Sequence, residues 1–512
     1  MTKPIKDPKY SRPFDVHVWS EHPEVNNFID QVYALLPAEV IGRVESKSNN
    51  KGTLPKHLLK VVLMDLFVAW KQDPELCIGI SLANAAYKVG SRYNGLHLSK
   101  KLPIIVHALR ELGLLDWENH SHSKTNPKGN RTTRIRASDQ LQELFKEAPL
   151  REQLVQFNTN KETIVLRDID EDDPGVQAYK KSKSKGAKGV VEMEYDDDEL
   201  PLYLHTARDD LAAYNALLNR SHIDIGILEE PNYSYTKREK SGVENEVTMF
   251  LHQGRHHVRR IFSRGSFHLN GRFNGGWWQQ CPKKLRRHIF INRQQTAEID
   301  YSGLHPRILA AEKGYELSGD PYEVPSLKAY EFDSDTQRML MKGFVLVAIN
   351  AADATQAYGA FRSGNQNKFS FPLTKKLFEA LWSAFEEAHP PLAECLFSDQ
   401  GIRLMNVDSR IAAEVINEFV SLNEPILTLH DSFLVRVRKL DLLEDAMASA
   451  SEKVVGRKLN FGLDRMLTSL DQVLKFDESL KRSALEGYLK DYAFFPAYDQ
   501  RWREWKGAQA LH

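Results

Sequence analysis

Two apolar strand patterns in this chain each run into an aspartate, and the two aspartates stand 131 positions apart. The first is TAEIDYSGLHPRILA, residues 296–310, where Ala297 and Ile299 lead up to Asp300. A helical pattern starts three residues later, with Pro306 in its first turn, a place where a missing N–H is tolerated. The second is PILTLHDSFLVRV, residues 425–437, in which two apolar strands flank His430-Asp431-Ser432 as the arms of a hairpin flank its tip. Helix capping or turn hydrogen bonding accounts for either acid taken alone.

Between the acids, SDTQRMLMKGFVLVAINAAD (residues 334–353) predicts a helix. Arg338 and Lys342 are four apart and share one face, which Leu346 and Asn350 continue. Two cations one turn apart suit an anionic group such as a triphosphate. By themselves they read better as the solvated cations of an ordinary amphipathic helix.

The chain of 512 residues carries 69 basic and 69 acidic residues, so any nucleic-acid footprint has to be local. One stretch has that character. Residues 251–297 hold ten Lys/Arg, five His and no acid, with Phe262, Phe267, Phe273, Trp277, Trp278 and Phe290 interleaved. This predicts a positive nucleic-acid channel with stacking partners, its GRFNGG segment allowing close backbone approach to a ligand.

Towards the N-terminus, residues 57–71 and 99–113 read as helices, the second with Ser99 as N-cap and Gly113 as its stop. A strand, a basic hairpin and a return strand follow, with five Lys/Arg and no acid between Ser121 and Arg136. The order resembles a winged-helix domain over about residues 50–148, which implies duplex contact through helix and wing. Residues 168–199 alternate acidic and basic blocks and read as an exposed insertion. Three scattered cysteines, no apolar leader and no membrane-length apolar run fit a cytoplasmic protein without membrane contact.

Two carboxylates at strand ends can share a pair of Mg²⁺ ions, with Mn²⁺ as the alternative. Mg²⁺ takes one or two carboxylates and draws its other ligands from phosphates and water. Such a pair serves in-line phosphoryl transfer, one ion at a primer 3′-hydroxyl and the other at the triphosphate and departing pyrophosphate. Arg338 and Lys342 would add charge stabilisation.

The same residues carry a resemblance. DYSGLHPRILA resembles motif A (DYSxIELRILA) of family A DNA polymerases, and Arg338-x-x-x-Lys342 resembles their motif B helix. LHDS at 429–432 resembles motif C, which reads HDE in those enzymes and HDS in phage-type single-subunit RNA polymerases. GRF at 271–273 and LRRHIF at 285–290 are similar to the primer–template segments ahead of motif A. The resemblance covers about residues 255–440.

It implies an α+β fold, a right-hand polymerase of palm, fingers and thumb behind the N-terminal winged helix, with Asp300 and Asp431 as catalytic metal-binding acids and the Tyr301 carbonyl as a further ligand. Arg338 and Lys342 would grip the triphosphate, with His305 and Asn350 at the sugar. His430, Arg272, Arg259 and Arg260 would meet the DNA primer–template, and Arg307 would support the palm. The expected divisions are a winged helix (1–150), a connector with the charge-block insertion (151–200), a thumb-like helical region (201–255), palm and fingers (256–475) and a tail (476–512).

Departures from the pattern matter too. His305 stands where motif A has Glu, and Asn350-Ala351 where motif B has Tyr-Gly, so both sugar-gate positions differ and ribonucleotides come into question. There is no room for a proofreading exonuclease. The chain is similar to the exonuclease-less primase-polymerases of mobile elements, with a helicase or single-strand binding protein as the kind of partner such enzymes work beside. The competing readings are a single-subunit RNA polymerase and a DNA-binding replication initiator with a vestigial palm. A metal phosphohydrolase lacks the further histidines it would need.

Overall fold

The computed structural model describes residues 3–45, 54–83, 86–121, 131–157, 161–169, 190–238, 244–251, 256–324, 330–463 and 494–509. They build two apolar cores. The N-terminal core gathers helices α1 (Pro23–Ala34), α2 (Ala38–Glu45), α3 (Pro55–Gln72), α4 (Leu102–Glu111) and α5 (Asp139–Glu147). Its sheet comprises β1 (Ser11–Pro13), β2 (Cys77–Ile80), β3 (Leu115–Glu118) and β4 (Thr133–Ala137), in the order β1-β2-β4-β3.

Helix α3 is buried almost all round, so its two inward charges need partners. Lys60 donates to the Ser20 carbonyl at 2.8 Å and lies 4.3 Å from the Trp19 ring centre, and Asp65 pairs with Arg12 at 2.6 Å. Helix α4 begins at Leu102 rather than directly after Ser99, and Gly113 follows its last turn at φ 75°. The expected strand, hairpin and return strand are β3 and β4, antiparallel and bridged at Ser121–Arg131. The hairpin tip (122–130) and most of the charge-block insertion (170–189) lie outside the described residues.

The strands that follow are β5 (Ile164–Ile169), β6 (Val190–Glu192), β7 (Ile223–Ile225), β8 (Asn232–Arg238), β9 (Glu244–Phe250), β10 (Arg259–Ser263), β11 (Ser266–Asn274), β12 (Ile289–Ile291), β13 (Gln294–Tyr301), β14 (Leu427–Leu429), β15 (Ser432–Arg436) and β16 (Phe461–Leu463). The helices are α6 (Ala207–Asn219), α7 (Leu304–Glu312), α8 (Ser334–Asn350), α9 (Ala354–Asn365), α10 (Lys375–Ala388), α11 (Gly401–Ser421), α12 (Leu440–Val455) and α13 (Pro496–Gln509). The main sheet runs β14-β15-β13-β12-β7, with β16 also on β13, and a second sheet runs β11-β10-β5-β6. The fold is α+β, as the sequence predicts.

Residues 201–255 are not the helical region expected. After α6 the chain enters β7 of the main sheet and then the antiparallel β8–β9 ribbon. The reason is local: NYSYT and EVTMF alternate aromatic and β-branched residues with polar ones, a strand period. Residues 464–493 and 510–512, which hold the end of the expected palm division and most of the tail, lie outside the described residues; α13 lies against β7, where Arg501 pairs with buried Asp224 at 2.8 Å and Tyr498 is fully buried. Among the described residues no helix is long and apolar enough to cross a membrane. All three cysteines are free and buried.

Candidate active site

Strand β13 carries Asp300 opposite Ser432 of β15, and the Tyr301 amide donates to the Asp431 carbonyl at 3.3 Å. The β14–β15 hairpin turns through His430 and Asp431 alone, with Leu429 paired to Ser432. His430 takes φ 71°, uncommon for a residue with a side chain, and two ladders on either side hold it there. The two sequence-distant acids thus meet at one rim of the sheet. One pleat below Asp300, buried Glu298 accepts from Ser432 Oγ at 2.8 Å and from Arg286 at 3.1 Å, a strut under the hairpin.

Beyond Asp300 the strand becomes α7 through Gly303, whose φ is 60°. A Cβ there would meet Pro321 Cγ at 2.4 Å, so glycine also lets the loop carrying Pro321 rest on this turn. Arg307 is buried and donates to the carbonyls of Ser302 at 2.7 Å, Leu317 at 2.8 Å and Gly319. It ties that loop to the start of α7. Tyr301 turns its hydroxyl away from the rim, to the Met447 carbonyl at 2.6 Å.

On one flank of the acids, Arg272 of β11 donates through Nε to both oxygens of Asp408 in α11, at 3.1 and 3.0 Å. His305 Nε2 lies 3.1 Å from the same carboxylate. Burial works to lower the Arg272 pKa, but the bond to Asp408 and the charges of Asp408 and Asp431 outweigh it and raise it. Burial and then Arg272 lower the pKa of His430, which keeps that ring neutral at pH 7. His305 is therefore held by Asp408 and not left free to face a sugar.

On the other flank stands α8. Arg338 and Lys342 lie 5.7 and 5.9 Å from the centre of the Tyr322 ring. Burial, Asp320, Asp431 and Asp300 push the Tyr322 hydroxyl up to about 12 against the opposing charge of Arg338. Tyr322 therefore stands within electrostatic reach of both acids and both cations. Asn350 takes no part in this face: its Nδ2 donates back to the Leu346 carbonyl at 2.6 Å, and its amide fills the space above Gly401.

The basic stretch behaves differently from expectation. Phe262, Phe267, Phe273, Trp277, Trp278 and Phe290 are all buried, so they are core and not a stacking surface. Gly271 gives its close approach to Phe262 and Ser409, not to a ligand. Arg260 is 2% exposed, donates to the Gly271 carbonyl and to Ser409 Oγ at 2.9 Å each, and is pushed down to about 10 by burial. It supports α11 against β11 and is closed to a primer–template. Arg259 lies 3.6 Å from Glu192 in the second sheet. For Arg260 and the strands around it the physical reason is α11, which covers this face of β10 and β11, while Phe290 is covered from another side by Phe494 and Tyr498.

Asp408, Asp320, Tyr322 and Glu298 were not singled out from sequence. Asp408 had a legible signal, an acid within the apolar helical stripe Leu404, Ile411, Val415. Asp320-Pro321 reads only as a turn. Among the described residues no three His, Cys, Asp or Glu side chains gather to hold a metal ion unaided. Two carboxylates at a sheet rim fit an Mg²⁺ that brings phosphate and water ligands with it.

No family model matches this chain, and no curated protein matches it. Among solved structures, it is similar to the POL domain of Pol1 from M. smegmatis in complex with DNA primer-template and dNTP. The identity is 13% and the TM-score 0.24, over 85% of this chain and 71% of that chain.

Proposed function

We propose that this chain is a template-directed nucleotidyltransferase, a DNA polymerase of the primase-polymerase kind that adds nucleoside triphosphates to a 3′-hydroxyl. The observation that carries the reading is the meeting of Asp300, on β13, with Asp431, in the tip of the β14–β15 hairpin paired to that strand, with Arg338, Lys342 and Tyr322 beside them. The two acids, with the Tyr301 carbonyl, would hold divalent ions, which supply charge neutralisation at the attacking and leaving oxygens. Arg338 and Lys342 bind the triphosphate as donors aimed at its oxygens. His430, neutral at the hairpin tip, lies on the primer side with Arg272.

The N-terminal domain would bind duplex nucleic acid in winged-helix fashion, with α4 and the β3–β4 hairpin as helix and wing. Arg110 of α4 stacks over Trp117 of β3 at 4.5 Å, which ties the two parts into one surface.

Primer extension and de novo synthesis with Mg²⁺, comparing dNTPs with rNTPs, test the reading. Incorporation that disappears in Asp431→Ala supports it. Equal behaviour of wild type and Asp431→Ala refutes it, and exclusive use of rNTPs makes the enzyme an RNA polymerase instead.

A further inference from the structure

An acid stands where an incoming anion should be repelled. Asp320 Oδ2 accepts from Arg338 Nε at 2.5 Å, on the face of α8 that carries both cations. An aspartate there halves the local positive charge, so its presence needs a compensating effect. Geometry supplies one. A guanidinium gripped at Nε keeps both Nη groups in a fixed fork, the arrangement that meets two phosphate oxygens at once. The freedom of a long arginine side chain is then lost before the ligand arrives and not on binding.

The grip is itself anchored. Asp320 Oδ1 accepts from the Tyr322 amide at 3.0 Å, which closes a local turn. The loop is fixed at three further points, two of them on the segment after Asp300: Arg307 holds the Leu317 and Gly319 carbonyls, Pro321 rests on Gly303, and His389, at the end of α10, has Nε2 3.1 Å from the Pro321 carbonyl. Residues 317–322 thus form a strap from the turn after Asp300 to the second turn of α8. Tyr322, at the end of the strap, lies beside both cations and within electrostatic reach of both acids.

We propose that Asp320 is a positioning residue that presents the Arg338 fork and the Tyr322 hydroxyl together as a preformed phosphate subsite. The inference rests on the nucleotidyltransferase reading for the identity of its ligand, the triphosphate of an incoming nucleotide. Tyr322 remains a neutral donor there, since its hydroxyl is pushed up to about 12.

The test uses full-length protein in two assays. Binding of inorganic tripolyphosphate with Mg²⁺ is measured by calorimetry, and KM and kcat for triphosphate are measured in primer extension. Asp320→Ala is expected to weaken tripolyphosphate binding and raise KM by about tenfold or more, with a smaller change in kcat. Asp320→Glu, which keeps the carboxylate, should recover part of the loss. In an Arg338→Ala background, Asp320→Ala should add nothing further, because the two act as one unit.

Unchanged or tighter binding in Asp320→Ala overturns the proposal, since it would mean that the acid merely sequesters Arg338. Additive losses in the double variant overturn it equally. If wild type incorporates no nucleotide, the nucleotidyltransferase reading fails, while tripolyphosphate binding still decides the role of Asp320. A wild type that binds no tripolyphosphate sinks the subsite.

Discussion

Arg272 and Asp408, 136 positions apart, form an ion pair in which the carboxylate is wholly enclosed. It joins β11 to α11 directly beside the two acids. Removing one partner of such a pair leaves an uncompensated buried charge. Asp408→Ala should therefore cost about 3–5 kcal/mol in urea unfolding. The volume-matched double variant Arg272→Met/Asp408→Leu should recover most of that loss. A single-variant cost below about 1 kcal/mol would show that the pair is solvated and its role overestimated.

Asp300 and Asp431 should separate activity from stability. The two acids stand on neighbouring backbone, Asp300 opposite Ser432 and the Tyr301 amide on the Asp431 carbonyl, so two like charges share one rim and neither supplies the other with a partner. Neutralising one by Asp300→Asn or Asp431→Asn should leave the thermal midpoint unchanged or raise it. Nucleotide incorporation should fall by about three orders of magnitude, the scale of losing a main electrostatic contact in a transition state. A marked loss of stability in either variant would mark that acid as a structural residue.

Stability should fall on mild acidification. Burial holds His17 and His222 down to about 3 and His256 to about 4, so all three are neutral in the folded chain at pH 7. Unfolded, they titrate near 6.5 as ordinary histidines, at about that pH. Between those values the unfolded chain binds more protons. Their contribution is complete above about pH 6.5 and is lost as pH falls towards 4, at up to about 1.4 kcal/mol per pH unit for each. Urea midpoints measured across this range read the slope. His222→Phe, which keeps a ring between Tyr498 and Trp502, should flatten it, and an unaltered slope would contradict the assignment.

The C-terminal helix should be a clasp and not an appendage. Asp224 is fully buried, and burial raises its pKa against the opposing effect of Arg501, which donates to it at 2.8 and 3.2 Å. Arg501→Met should cost about 3–5 kcal/mol and expose α13 to limited proteolysis. Asp224→Asn combined with Arg501→Met should cost less than Arg501→Met by itself. If α13 is cleaved no faster in Arg501→Met than in wild type, the clasp is held by Tyr498 and its neighbouring rings instead.

The elements nearest the acids were legible because their signals are local. The hairpin of LHDS, the strand before Asp300 and the helix of Arg338 and Lys342 follow from apolar period and from turn chemistry over a few residues. The basic stretch misled for the same reason. Its arginines and aromatics suggested a wet channel, yet whether a strand faces solvent or a helix depends on what packs over it. Here α11 does, and it is drawn from more than 100 positions downstream, the span from Arg260 to Ser409 being 149. Likewise Asn350 and His305 have the right chemistry for a sugar hydroxyl, but Asn350 Nδ2 turns back to the Leu346 carbonyl and His305 Nε2 lies on Asp408.

Where strands end in acids, where helices begin and which cations share a face can be read along the chain, because backbone preference and side-chain period act over neighbouring residues. Which acids meet and which arginines are enclosed depends on the packing of distant segments. The same packing brings a turn reading Gly-Asp-Pro-Tyr across to Arg338. Those outcomes rest on burial and on pairing between distant segments. A buried charge has to find its partner wherever the fold brings one, and no local pattern records that choice.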